Sequence, residues 1–240
     1  PPVTAPIANT IAHPTPPHIL ESGLVPAGAG SRGINIQVAK TELLQCMEEG
    51  CLDVRYQPKI DVRTLEFIAV EALVRLNHPN HGELMPAAFL AMAEESGLID
   101  RLTRSVILKA LTQTSRWLDE GYALQVAINV SPQQFRNTDL LANVTQALID
   151  THLPPAMLEL EITESVLVQD APETMRVFKA LNELGITLSL DDFGTGYSSL
   201  SYLKQLPIQK LKIDRSFVRD IPNDGDDAAI VSAIIAMAIV

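Results

Sequence analysis

The sequence predicts an α/β fold in which a mostly parallel sheet is covered by helices, and three observations predict it. Short apolar runs rich in Val, Ile and Leu recur at 52–58, 67–76, 124–130, 157–162, 186–190 and 210–213. From residue 121 onward they alternate with stretches of helical periodicity. Most of these runs also end, on their C-terminal side, in a polar residue out of keeping with burial. Strands buried on both faces and joined by helices form either a doubly wound sheet or a closed barrel, and the pattern leaves both open.

The elements follow in order. Residues 1–34 hold seven of the sixteen prolines and an Ala-Gly-Ala-Gly run, with neither helical nor strand periodicity, and are expected to be a linker or tail. The chain opens on Pro rather than Met, which leads us to expect a sensory or signalling domain upstream. A compact domain is expected over 35–240. Residues 38–50 read as a helix, followed by strands at 52–58 and 67–76 around a polar turn. Pro86 marks a first helical turn, with a short helix over 87–95 and a long one over 101–120 that Gly121 stops. Strand 124–130 precedes helix 139–150, and strand 157–162 precedes helix 172–184, which Gly185 closes. Strand 186–190, a Gly/Ser-rich loop, a helical stretch near 200–205, strand 210–213 and helix 227–238 complete the chain.

With 29 acidic against 18 basic residues the net charge is −11, so the surface as a whole repels nucleic-acid polymers. A phosphate ligand would need local help. Cys46 and Cys51 lack zinc-ligand spacing and read as reduced structural thiols of a cytoplasmic protein. The longest apolar run, 228–240, is interrupted by Ser232 and is too short for a membrane span, so no membrane contact is expected of this segment. His78 and His81 read as polar loop residues, and Trp117 as a core residue of the long helix.

The polar strand ends are Glu71, Asn129, Glu161, the pair Asp191 and Asp192, and Lys212. Any one alone would read as a helix cap or a solvated loop residue. Five successive strands ending this way read differently, because the C-terminal strand ends of a barrel converge on one mouth, where active sites lie. Carboxylates crowded there repel one another unless neutralised, and oxygen ligands select hard cations such as Mg²⁺ or Mn²⁺. Adjacent Asp191 and Asp192 can point to different sides and serve two ions, an arrangement suited to phosphoryl chemistry.

At these same positions the sequence resembles the EAL domain family: Glu71-Ala72-Leu73, Asn129-Val130-Ser131-Pro132, Glu161-Ile162-Thr163-Glu164-Ser165, Asp191-Asp192-Phe193-Gly194-Thr195-Gly196 and Lys212-Ile213-Asp214. Tyr56-Gln57-Pro58 and Gly97-Leu98-Ile99 extend the likeness. The resemblance implies a TIM-like (β/α)8 barrel whose first strand is antiparallel to the rest. It implies hydrolysis of cyclic di-GMP to the linear dinucleotide pGpG by a metal-activated water, with Mg²⁺ or Mn²⁺ in a two-metal site. Glu71, Asn129, Glu161 and Asp191 resemble the ligands of one ion, and Asp191 and Asp192 those of the second. Lys212 resembles the lysine beside the attacking water, and Glu164 the glutamate that anchors the loop after Asp192. Gln57 and Arg75 resemble substrate contacts, and a homodimer is implied. A complete member continues through two more βα units, including a Glu-Gly-Val-Glu segment with a further catalytic glutamate, so a C-terminally incomplete barrel is expected. A non-catalytic cyclic di-GMP receptor is the alternative; members of that kind have eroded metal residues, whereas the acids here are intact. A pure interaction module would need none of these acids.

Overall fold

Side-chain alternation makes each predicted strand a two-faced ribbon, and in the computed structural model these ribbons pair into a single seven-stranded sheet. The structure describes residues 37–136, 139–168, 171–194, 205–221 and 225–238. The expected linker, most of the Gly/Ser-rich loop and the helical stretch near 200–205 lie outside the described residues.

Helix α1 (Lys40–Glu48) leads into strand β1 (Leu52–Ile60), which pairs antiparallel with β2 (Phe67–His78). The connection is tight because Asp61 accepts hydrogen bonds from the backbone N–H of Arg63 and Thr64. Helix α1 ends in a Schellman motif, with Gly50 at φ 77° and the Cys51 N–H bonded to the Cys46 carbonyl at 2.9 Å. Burial, then the neighbouring Cys51, pushes the Cys46 thiol up to about 11, which keeps it protonated near neutral pH. Both cysteines are free thiols.

Strand β3 (Gly82–Leu84) pairs antiparallel with β2. Three residues carry no readable period, which is why the sequence does not announce it. Strands β4 (Gln125–Val130), β5 (Leu158–Thr163), β6 (Thr187–Phe193) and β7 (Lys210–Ile213) follow β2 in parallel, in the order β1-β2-β4-β5-β6-β7. This is the α/β sheet of a TIM-like barrel with an antiparallel first strand. Among the described residues the path from β1 to β7 does not close.

The helix expected over 87–95 is divided into a 3₁₀ turn (Pro86–Ala88) and α2 (Leu90–Glu95), because Phe89 takes a non-helical φ of −140° while burying its ring. Helices α3 (Ile99–Asp119), α4 (Asp139–Thr151) and α5 (Ala171–Glu183) stand close to their expected bounds. The four-residue α6 (Arg215–Val218) was not expected; the Asp214 side chain caps it by accepting from the Ser216 N–H. Helix α7 (Gly225–Ala238) is the last element. No helix of the described residues is long and apolar enough to cross a membrane.

The two sheet faces differ in kind. Val126, Ile128, Leu158, Leu160, Leu188 and Leu190 are fully buried in the apolar core shared with the helices. The residues between them, on the inner face, are Gln125, Ala127, Asn129, Glu159, Glu161, Thr187, Ser189 and Asp191. Trp117 is 1 % exposed and meets Tyr56 edge-on, with ring centroids 4.8 Å apart, as a core residue should. The reading of His78 needs correction: it closes β2, is buried, and accepts the Asn80 N–H on Nδ1 rather than facing solvent in a loop.

Candidate functional site

The parallel register carries these polar residues to one region of the inner face, stepping two residues along from Glu71 to Asn129 and Glu161 and again to Asp191. Asn129 pairs with Glu161 across β4 and β5, Thr163 with Asp191 across β5 and β6, and Glu71 with Ala127 across β2 and β4. The Lys212 ammonium from β7 sits among the carboxylates, 2.6 Å from Glu161 Oε2, 2.8 Å from Asp191 Oδ2 and 3.5 Å from Glu71 Oε2. Asn129 Nδ2 donates to Glu71 Oε1 at 2.9 Å. Glu71, Asn129, Glu161, Asp191 and Lys212 are thus one constellation drawn from five strands.

The carboxylate crowd is partly neutralised from within the chain by the Lys212 ammonium. Burial alone would lower the Lys212 pKa, but its hydrogen bonds to Asp191 and Glu161 and the charges of Glu161 and Glu71 outweigh it, so the ammonium is held well above the ordinary lysine range. Among the described residues no three His, Cys, Asp or Glu side chains are already closed into a metal cage; their oxygens surround Lys212 instead. The donor set nonetheless fits a hard divalent cation: three carboxylates meet at a point that already holds positive charge, Asn129 brings an amide beside Glu71, and no sulfur or imidazole is among them.

Asp192 departs from its neighbour in backbone conformation. It takes a left-handed φ of 54° where the β6–β7 register shifts between Leu190 and Phe193, so the strand is re-aimed between the two aspartates. Burial, then the charges of Asp191 and Asp214, raises its carboxyl pKa. Gly194 follows at φ 101°, and a Cβ there would lie 3.0 Å from the Phe217 ring. Gly194→Ala is therefore expected to lose about 1 kcal/mol or more of stability in urea unfolding.

The remaining expected site residues are dispersed. Gln57 lies directly opposite Glu71 on the β1–β2 ladder. Arg75, two alternations beyond Glu71 on the same face of β2, donates to the Val74 carbonyl at 2.8 Å and lies 4.0 Å from Glu83. Glu164 is buried at the start of the 3₁₀ turn (Glu164–Val168) that leaves β5, and the loop it is expected to anchor lies, from 195 on, outside the described residues. A cleft of about 510 Å³ opens beside Asn129, walled by Leu73, Val106 and Ile128, with Ser131 and Thr163 at its edge.

A second charged layer went unread in the sequence. Glu159 Oε1 accepts from Lys59 at 3.2 Å, and its Oε2 from Lys210 at 2.5 Å. Burial would raise the Glu159 carboxyl, but the Lys210 bond and the Lys59 charge hold it below the usual carboxylate range. Glu159 and Lys210 each stand two residues before Glu161 and Lys212, so Glu-Leu-Glu and Lys-Leu-Lys were the available signal. In otherwise apolar strands, same-face charges of opposite sign on β5 and β7 mark ion pairs across the inner face, with Glu159 buried and Lys210 half exposed.

A model of the EAL domain matches residues 40–240. The chain is 45 % identical over 197 residues to a bifunctional diguanylate cyclase/cyclic di-GMP phosphodiesterase, MucR of Pseudomonas aeruginosa, covering 82 % of this chain and 29 % of that protein. It is 40 % identical over 198 residues to the cyclic di-GMP phosphodiesterase PdeR of Escherichia coli, covering 82 % and 30 %. The chain therefore spans less than a third of the length of these curated relatives. Among solved structures it superposes on the PaMucR phosphodiesterase in complex with c-di-GMP with a TM-score of 0.78, at 44 % identity, covering 82 % of this chain and 80 % of that one. The FimX EAL domain of Pseudomonas aeruginosa bound to c-di-GMP matches at a TM-score of 0.74 and 28 % identity, covering 82 % and 78 %.

Proposed function

The chain belongs to the EAL domain family, and from that premise we propose that it hydrolyses cyclic di-GMP to pGpG with the help of Mg²⁺ or Mn²⁺. One observation carries the reading: Glu71, Glu161 and Asp191 bring three carboxylates from three strands around one cationic point, with Asn129 bonded to the first of them. A receptor that needs no metal has no use for such a set.

Glu71, Asn129, Glu161 and Asp191 would hold one divalent ion, and Asp191 with Asp192 a second. Bound there, the ions would make water nucleophilic near neutral pH and neutralise charge on the phosphoryl oxygens. Lys212, kept protonated by its carboxylate partners, supplies a fixed positive charge beside the scissile phosphodiester as negative charge develops on it. Gln57, opposite Glu71, and Arg75, with a forked guanidinium, are assigned to the nucleotide and its phosphates. The apolar-walled cleft beside Asn129 gives room for a base. Glu164 is assigned to anchoring the loop that follows Asp192. Residues 1–34 are assigned to a linker and 35–240 to the phosphodiesterase domain, acting in the cytoplasm as a homodimer controlled by an upstream sensory or signalling domain.

Incubation of the 240-residue chain with cyclic di-GMP and Mn²⁺ or Mg²⁺, followed by chromatography, is expected to yield pGpG. Product should vanish on chelation of the metal and in Glu71→Ala. Retained nucleotide binding without product would instead support either the receptor reading or an incomplete active site, and the same assay on a chain extended through the two further βα units that the resemblance implies separates the two.

A further inference from the structure

Glu161 is 1 % exposed, and each of its two carboxylate oxygens has its own lysine. Oε2 is held by Lys212 at 2.6 Å, on the side shared with Asp191 Oδ2 and Glu71 Oε2. Oε1 is held at 2.6 Å by Lys59, which comes from the antiparallel strand β1. We propose that Lys59 is a positioning residue that fixes Glu161 as a one-oxygen ligand, presenting Oε2 alone to the cation; this rests on the reading of Glu71, Asn129, Glu161 and Asp191 as a divalent-metal site.

The inner face of the sheet is built to let Lys59 do this. Its ladder partner is Ala69, and the β4 residue level with Glu159 is Ala127, both buried. Two alanines leave the space through which the lysine side chain crosses from β1 to β5. The ammonium is then anchored from below: it also binds Glu159 Oε1 at 3.2 Å, while Lys210 holds Glu159 Oε2 and is itself bonded to Gln125 Oε1 at 2.6 Å. Lys59 is therefore seated by a network anchored on the buried Glu159 rather than swinging freely, and it transmits that order to Glu161. Outer partners of this kind orient a ligand and restrict which lone pair it offers.

Simple charge arithmetic predicts the opposite sign. Removing a cation from the neighbourhood of a divalent ion should tighten binding by Coulomb's law. A positioning role predicts weaker binding, because Glu161 loses the bond that selects its orientation.

The test is a Mn²⁺ titration of the 240-residue chain followed by electron paramagnetic resonance, comparing the unaltered chain, Lys59→Met and Lys59→Arg. Thermal unfolding of each metal-free variant is recorded alongside. Mn²⁺ binding is expected to weaken about 10- to 100-fold in Lys59→Met and to recover in large part in Lys59→Arg, which keeps the charge and reaches the same oxygen. Unchanged or tighter binding in folded Lys59→Met overturns the inference while leaving the metal reading intact. If Lys59→Met does not fold, Glu159→Gln is read in its place: it loosens the anchor of Lys59 without touching Glu161, and a smaller weakening is expected, equal affinity again being the overturning result. Failure of the unaltered chain to bind Mn²⁺ overturns the metal reading and this inference together.

Discussion

Lys212→Met is expected to lower cyclic di-GMP turnover at saturating Mn²⁺ by about 100- to 1,000-fold, the range for removing one preorganised charge aimed at a transition state. The same substitution is expected to destabilise the metal-free chain by about 3 kcal/mol, the range for removing one partner of a buried ion pair. Both effects follow from one arrangement: the ammonium is 28 % exposed and touches three carboxylates, one of them, Glu161, with no exposed side-chain surface. Without it, Glu71, Glu161 and Asp191 repel one another until another cation arrives. Mn²⁺ should therefore stabilise Lys212→Met more than it stabilises the parent chain, measured as the metal-induced shift of the urea midpoint. A fall in turnover below tenfold would reduce Lys212 to a structural counter-ion.

Trp117→Ala is expected to lose about 3–5 kcal/mol in urea unfolding, the usual cost of removing a large aromatic side chain from a packed core. Trp117 is among the largest fully buried side chains, and its edge-on partner Tyr56 immediately precedes Gln57 on β1. It lies on the helix-packed side of the sheet, away from the ionic layer. The folded fraction that remains at low temperature should thus bind Mn²⁺ as the parent does. A loss of Mn²⁺ affinity in that fraction would show that the aromatic pair also sets the position of β1 at the site.

The constellation was legible because Asn129, Glu161, Asp191 and Lys212 each break an apolar strand toward its C-terminal end; Glu71 instead stands mid-strand in β2, near where its pairing with β4 stops at Ala72. Glu71, Asn129, Glu161, Asp191 and Lys212 are anomalies of composition, and the parallel register converts these positions into spatial proximity. The sequence points to an ion from solution at these carboxylates, and the structure adds that Lys212 and Lys59 supply counter-charge from within the chain. Lys59 escaped notice because nothing local shows that a lysine on an antiparallel strand reaches across two alanines to β5. Short elements escaped for a different reason. The β3 strand and helix α6 span three and four residues, too few for a period of two or of 3.6 to declare itself, and both are fixed by partners distant from their own pattern or by a cap.

The strict alternation of Lys210-Leu211-Lys212 against Glu159-Leu160-Glu161 also governs how the sheet can assemble. Were β7 to add to β6 one residue out of step, both ammonium groups would enter the oily layer beneath the helices, and two aliphatic side chains would face the carboxylates. Such a misassembled sheet forfeits ion pairing and apolar contact in one stroke, so it lies far above the correct one in free energy. The charged interior therefore acts as a proofreader of strand addition.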